Sequence, residues 1–177
     1  PSSIHFEGRE VRKQIDQVRV RLADQLCCQP DEILFTSGAT EANNTVLYSV
    51  WERRSGSRKK IISTSIEHDS MYQPLTQLKK KGAEVVFLKV NQKGEIDCDQ
   101  LKDEIDDATL LVSMMLANNE TGICLPVRES IRLAHHQGVL FHVDAACAIG
   151  KTPFSFKDLG ADFVSISGHK FYAPKGI

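Results

Sequence analysis

The chain has 177 residues, 41% of them hydrophobic and 25% charged, an ordinary balance for a globular domain. With 22 Lys plus Arg against 23 Asp plus Glu the net charge is −1, which gives no electrostatic reason to expect a nucleic-acid or anionic-membrane partner. The longest uncharged apolar run, Ala108 to Ala117, is well short of the roughly 20 residues that span a bilayer, and the start of the chain carries no secretory pattern.

Apolar runs alternate with helical periodicity along the whole chain. Val11, Ile15, Val18, Leu22 and Leu26 step by three or four and predict a helix over roughly 9–28. Ile33-Leu34-Phe35 reads as a short strand, and Val46, Leu47, Val50 and Trp51 give the next helix its core face. Ile61-Ile62 is a strand, running on toward Ile66. Met71, Leu75 and Leu78 mark a helix ended by Gly82. Val85 to Leu88 is a strand, Asn91 to Gly94 a turn, and 98–106 a weak helix leading to the strand Leu110 to Met114. Pro126 suits a first helical position, with Val127, Ile131 and Ala134 as its core face, and His135-His136 as a solvated helix end. Two more strands end at Asp144 and Ser167. Strands apolar on both faces and separated by helices imply an α/β fold in three layers (αβα), with a mostly parallel sheet covered on both sides. Ser55-Gly56-Ser57 is a polar surface loop, and no repeat or low-complexity segment interrupts the pattern.

Five cysteines (Cys27, Cys28, Cys98, Cys124, Cys147) form no C-x-x-C pair and no Cys/His metal spacing, so no metal is expected. They read as reduced thiols of a cytoplasmic protein, mostly small buried hydrophobes.

In open α/β sheets ligands bind beyond the carboxyl ends of the strands, and polar residues gather there. Lys170 follows the apolar run Phe163 to Ile166, and Asp144 ends the run Val139 to Val143. A buried lysine and a buried aspartate at neighbouring strand ends suggest pyridoxal phosphate between them. That cofactor needs an amine for its aldehyde and a carboxylate for its pyridinium nitrogen. Ser37-Gly38-Ala39-Thr40-Glu41 places a glycine turn before a helix N-terminus, which suits a phosphate, although Ser37 or Thr40 as a plain helix cap explains that pattern equally well. Glu67-His68 and Asn118-Asn119-Glu120-Thr121-Gly122 are, each alone, an ordinary histidine and an ordinary turn. The conjunction is more specific than any member.

These segments, with Pro1-Ser2-Ser3-Ile4-His5, Ala42-Asn43-Asn44, His142-Val143-Asp144-Ala145-Ala146 and Ser167-Gly168-His169-Lys170, resemble the cysteine desulfurases of the class V aminotransferase group, and the likeness runs from Pro1 to Ile177. The resemblance implies that residues 1–177 form the cofactor-binding large domain of a fold-type I pyridoxal-phosphate enzyme. Lys170 would make the covalent link to the cofactor and act as base, and His68 would stack on the ring and move protons. Asp144 would pair with the ring nitrogen, while Asn119 and Cys147 would flank the ring hydroxyl. Ala39, Thr40, Ser167 and His169 would hold the phosphate. It further implies conversion of L-cysteine to L-alanine, with sulfur left as an enzyme persulfide. That sulfur would pass to an acceptor protein such as an iron–sulfur scaffold, from a cytoplasmic homodimer. Selenocysteine lyase and a non-catalytic cofactor-binding module are the alternatives.

Two departures stand out. Cys147 occupies the place where the family usually has Gln, and a thiol is a much weaker donor than an amide. None of the five cysteines matches the persulfide position, which in the family lies on a loop beyond Lys170. The chain is therefore expected to lack that loop and the small C-terminal domain, as well as a short leader before Pro1, and to be weakly active or inactive alone.

Overall fold

In a computed structural model, residues 5–54, 56–152, 155–174 and 176 are described. The Pro1-Ser2-Ser3-Ile4 part of the first motif, Ser55 of the polar loop and Ile177, where the chain is expected to be cut, lie outside the described residues.

The chain divides into two compact units. The first contains the residues up to Phe35 together with residues 155–158. Its main element is α1 (Phe6–Leu26), started by His5, whose Nδ1 accepts the Gly8 N–H, and stopped by Cys27 in the left-handed conformation at φ 56°. Arg12 and Arg19 both pair with Asp16 one turn away. After a 3-10 turn at Pro30–Glu32, the Ile33-Leu34-Phe35 segment is extended but joins no sheet. Leu34 is 72% exposed. An apolar triplet becomes a strand only when a neighbouring strand takes up its backbone hydrogen bonds, and here Ile33 offers its carbonyl to Arg19 while Phe35 lies under the Arg19 guanidinium.

The second unit, which holds the remaining described residues, is built on five parallel strands in the order β2-β1-β3-β4-β5. They are β1 (Lys60–Thr64), β2 (Glu84–Leu88), β3 (Thr109–Met115), β4 (Leu140–Asp144) and β5 (Phe163–Ser165). Every residue of β1 and β3 is buried. Successive strand residues point to opposite faces, so both faces are covered and the three-layer αβα reading holds. Helices α2 (Ala39–Glu52) and α3 (Asp69–Lys80) pack Leu47, Val50, Trp51, Met71, Leu75 and Leu78 against Ile61, Val85 and Leu111. Helices α4 (Cys98–Glu104) and α5 (Val127–His136) pair with each other, α5 lying on β3 and β4. Pro126 is the cap before α5 rather than its first residue, because its ψ of 55° is not helical. His135 and His136 are exposed in the last turn of α5, His135 bonded to Asp162 at 3.0 Å. A short α6 (Phe156–Leu159) precedes β5.

From β1 the chain crosses to β2 on one side and then returns to β3 on the other. This reversal opens a crevice at the carboxyl ends of β1 and β3, the position where doubly wound sheets bind ligands. The ladder register sets Met115, Asp144 and Ser165 side by side at those ends. Packing supplies a direct test. Leu47→Ala, at a fully buried position, is expected to cost about 2–5 kcal/mol in a denaturant titration. Leu34→Ala is expected to change stability by less than about 0.5 kcal/mol. A large loss at Leu34 would contradict the unpaired assignment of that segment.

Candidate active site

A cleft of about 310 Å³ opens at the carboxyl ends of the strands, at the low end of small-molecule sites. All nine residues singled out in the sequence line it: Ala39, Thr40, His68, Asn119, Asp144, Cys147, Ser167, His169 and Lys170.

On one wall, Gly38 adopts φ 141° and caps α2 without a side chain, so Ala39 and Thr40 open the helix. Ser37 does not cap it either. Both its N–H and its hydroxyl donate to Glu41, at 2.7 and 2.6 Å, and these bonds hold the Glu41 carboxyl below its ordinary range. Opposite, Ser167 is buried with its Oγ 2.9 Å from His169 Nδ1, and lies 3.8 Å from where a Cβ on Gly38 would stand. A side chain at residue 38 would be strained and would narrow this wall.

The floor is Asp144, only 6% exposed at the end of β4. Its Oδ1 accepts the Ala146 N–H at 2.9 Å and its Oδ2 accepts from Asn43 Nδ2 at 2.8 Å. A buried carboxylate needs such donors to stay charged. Beside it, Cys147 is half-buried in the turn that follows. On the far side, Asn118 fixes the turn that carries Asn119. Its Oδ1 accepts three bonds from Glu120 and Thr121, and its Nδ2 donates to the Ile66 carbonyl, which ties this turn to the segment bearing Glu67 and His68. His68 caps α3, its Nδ1 accepting the Ser70 N–H.

Three sequence expectations are corrected. Lys170 is exposed, not buried: β5 ends at Ser165, two residues earlier than expected, and a 3-10 turn (Gly168–Phe171) lifts Lys170 to the rim of the cleft. Among the described residues the buried lysine is Lys60, at the opposite end of the sheet, where Asp106 and the Glu104 carbonyl satisfy its ammonium. The phosphate-type loop follows the unpaired Ile33–Phe35 segment, so four strand ends rather than five meet at the cleft. The cysteines are exposed or half-buried, none of them a core residue, and Cys147 is the one among them that lines the cleft. The described residues contain no metal-binding cluster of His, Cys, Asp and Glu.

Asn43, Ser70, Glu67 and His142 lie around the floor, and no sequence motif assigns a role to any of the four. Glu67 was noticed only as the neighbour of His68. The residue is half-buried: its Oε1 accepts from Thr64 Oγ1 at 2.7 Å and from the Met115 N–H at 3.0 Å, while its Oε2 is shielded from solvent and has no partner among the described residues. Burial, reinforced by Asp144, pushes its carboxyl up to about 8. His142, between the Ser113 and Ser165 hydroxyls, is pushed down to about 4 by burial. The only signal for either was a polar residue inside or directly after an apolar strand.

Comparison with known proteins decides the family. The model of the aminotransferase class-V family matches residues 1–177. The chain belongs to the aminotransferase class-V family. It is 41% identical over 177 residues to cysteine desulfurase IscS of Dictyoglomus turgidum, covering 100% of this chain and 45% of that one. It is 40% identical to the mitochondrial cysteine desulfurase of Saccharomyces cerevisiae, covering 99% of this chain and 35% of the relative. A solved NifS-like protein superposes with TM-score 0.96 at 39% identity, and SspA in complex with cysteine with TM-score 0.94 at 34% identity. Each alignment covers 99% of this chain, and 49% and 51% of those structures. The chain thus spans about half or less of the length of the proteins it matches.

Class-V aminotransferases are pyridoxal-phosphate dependent, and the cleft fits that cofactor. A helix N-terminus with no capping side chain faces Ser167 and His169, a buried carboxylate sits on the floor, and a primary amine stands at the rim.

The two displaced titrations give an expected pH profile. Glu67 keeps its proton to about pH 8 when folded and loses it near 4.5 when unfolded, so stability falls with rising pH between those values, by up to about 1.4 kcal/mol per unit. His142 acts oppositely between about 4 and 6.5, where the unfolded chain binds the extra proton. The slopes oppose each other below 6.5, leaving that of Glu67 above it. Denaturant titrations are expected to show stability falling from pH 6.5 to pH 8, and Glu67→Gln is expected to flatten that fall. An unchanged slope in Glu67→Gln would contradict the assignment.

Proposed function

We propose that this chain is the cofactor-binding large domain, over residues 1–177, of a cysteine desulfurase converting L-cysteine to L-alanine and passing the sulfur to an enzyme cysteine. The observation that carries the proposal is the convergence on one cleft of residues drawn from four strand ends and a helix N-terminus. The names of the relatives, and the cysteine bound in one similar structure, favour sulfur as the transferred atom.

Pyridoxal phosphate, when bound, supplies an electron sink for the pair left at the substrate Cα when its proton departs. The residues of this chain do the rest. Asp144 would hold a proton at the pyridine nitrogen of the bound cofactor, because its carboxylate is fixed by two donors and each oxygen retains a lone pair. The backbone N–H groups of Ala39 and Thr40, with the side chains of Thr40, Ser167 and His169, bind the phosphate at the α2 N-terminus. His68 would lie against the ring of the bound cofactor and could move a proton there. Asn119 and Cys147 flank the ring hydroxyl, Cys147 as a weak donor in place of an amide. Lys170 would supply the amine that holds the cofactor through its aldehyde, and its Nζ would be the base that takes the Cα proton. Its rim position leaves the amine free to swing between these two tasks.

Cys147 lies one turn past Asp144, at the ring end of the cleft, which does not suit attack on a substrate sulfur. The sulfur-accepting thiol is therefore proposed to come from outside residues 1–177, and the chain by itself is expected to turn over weakly. The sulfur acceptor is proposed to be an iron–sulfur scaffold or a related carrier, and the enzyme a homodimer. For location, the described residues contain no helix long and apolar enough to cross a membrane. A cytoplasmic site is proposed, with the mitochondrial relative as the competing precedent.

Borohydride reduction of the cofactor-loaded protein, followed by peptide mass spectrometry, is expected to place the adduct on Lys170. Lys170→Ala is expected to abolish the adduct and lower alanine formation from cysteine about 100-fold or more in the full-length protein. An adduct on Lys151 or Lys175, the latter outside the described residues, or retained activity in Lys170→Ala, would contradict the assignment.

A further inference from the structure

We infer that Asn43 and Ser70 are positioning residues that join His68 to Asp144 by one directed hydrogen-bond chain, and that this chain holds His68 with its proton on Nε2. Four bonds carry the inference. Asn43 Nδ2 donates to Asp144 Oδ2 at 2.8 Å and to Ser70 Oγ at 3.0 Å. Ser70 Oγ lies 2.9 Å from His68 Nδ1, and the Ser70 backbone N–H reaches the same nitrogen at 3.1 Å.

The directions follow from donor chemistry. A carboxylate only accepts, so Asn43 turns its NH₂ toward Asp144, and the second hydrogen of that NH₂ goes to Ser70 Oγ. With an amide hydrogen pointing at it, the Ser70 hydroxyl sends its own hydrogen to the remaining partner, His68 Nδ1. A backbone N–H can only donate, which fixes Nδ1 as an acceptor independently of the Asn43 orientation. Two donors on Nδ1 leave Nε2 as the protonated nitrogen of the neutral ring. Asn43 is fully buried, and its Oδ1 has no partner among the described residues. The fold leaves that carbonyl unsatisfied while both amide hydrogens are used. The alternative orientation would set Oδ1 against a carboxylate oxygen.

The chain links three separate elements: α2 through Asn43, the first turn of α3 through Ser70, and the end of β4 through Asp144. A change in charge at Asp144 is therefore felt at the ring of His68 without direct contact between the two. Its bearing on the cofactor rests on the function proposed above, because only there do His68 and Asp144 address one ring. The tautomer itself does not depend on that reading.

The test is ¹⁵N–¹H correlation NMR of the ¹⁵N-histidine-labelled protein without cofactor, with His68 assigned by its loss in His68→Gln. The expected result is an unprotonated Nδ1 and a protonated Nε2. Ser70→Ala removes one of the two donors and is expected to move the Nδ1 resonance to higher frequency, and Ser70→Thr to restore it. Asn43→Ala is expected to move the same resonance although Asn43 does not touch the ring. Should the buried Asn43 variant fail to fold, the reciprocal readout is the ¹³C carboxyl shift of Asp144 in Ser70→Ala, which is expected to change. A protonated Nδ1 in the unmodified protein, or His68 and Asp144 resonances indifferent to Ser70→Ala, would overturn the inference. A parallel fluorescence titration with pyridoxal phosphate separates the two levels. The expected tautomer without cofactor binding would sink the proposed function and leave the chain standing, whereas cofactor binding with a protonated Nδ1 would do the reverse.

Discussion

The site depends on keeping one carboxylate charged in a buried place. Asp144 ends β4 only 6% exposed, and burial tends to make a carboxylate costly unless donors meet it. Two donors oppose that tendency, the Ala146 N–H from the following turn and Asn43 from α2, the latter 101 residues away in sequence. Much of the surrounding arrangement follows from meeting this requirement. The strand must end at Asp144 so that the turn can present its N–H, and α2 must lie close enough to the sheet for a short amide to reach. The same helix, placed for that purpose, has its N-terminus open to the cleft.

The neighbouring titratable groups are arranged to leave Asp144 as the floor's charge. Glu67, pushed upward by burial, and His142, pushed downward, are both neutral near pH 7. A second carboxylate ionised beside Asp144 would repel it, and a charged imidazole two residues away on the same strand face would compete for its oxygens. Each is retained through hydrogen bonds instead. Glu67 braces the end of β3 through the Met115 N–H, and His142 bridges β3 and β5 through Ser113 and Ser165. The strands whose ends form the cleft are thus tied together by polar contacts beneath it.

Periodicity made most of the second unit legible because α2, α3 and α5 each bury one apolar face and β1 and β3 are buried on both faces. It failed where that condition fails. Ile33-Leu34-Phe35 has strand composition but no strand beside it. Lys170 follows a strand-like run whose last two residues leave the ladder, so the lysine emerges at the rim. Among the site residues, those that address a ligand were readable from their chemistry at strand ends. Asn43, Ser70 and Asn118 were not, because each serves another side chain or turn, and nothing local in sequence says which partner it will meet. The buried carboxylate was the available clue: it demanded a donor, without naming one.

The most direct measurement is the protonation state of the cofactor's ring nitrogen, read by ¹⁵N NMR of protein loaded with pyridoxal phosphate labelled at that atom. The account predicts a protonated nitrogen in the unmodified protein and loss of that proton in Asp144→Asn, which keeps the shape but removes the charge. A ring nitrogen that is unprotonated from the start, or that stays protonated in Asp144→Asn, would contradict it.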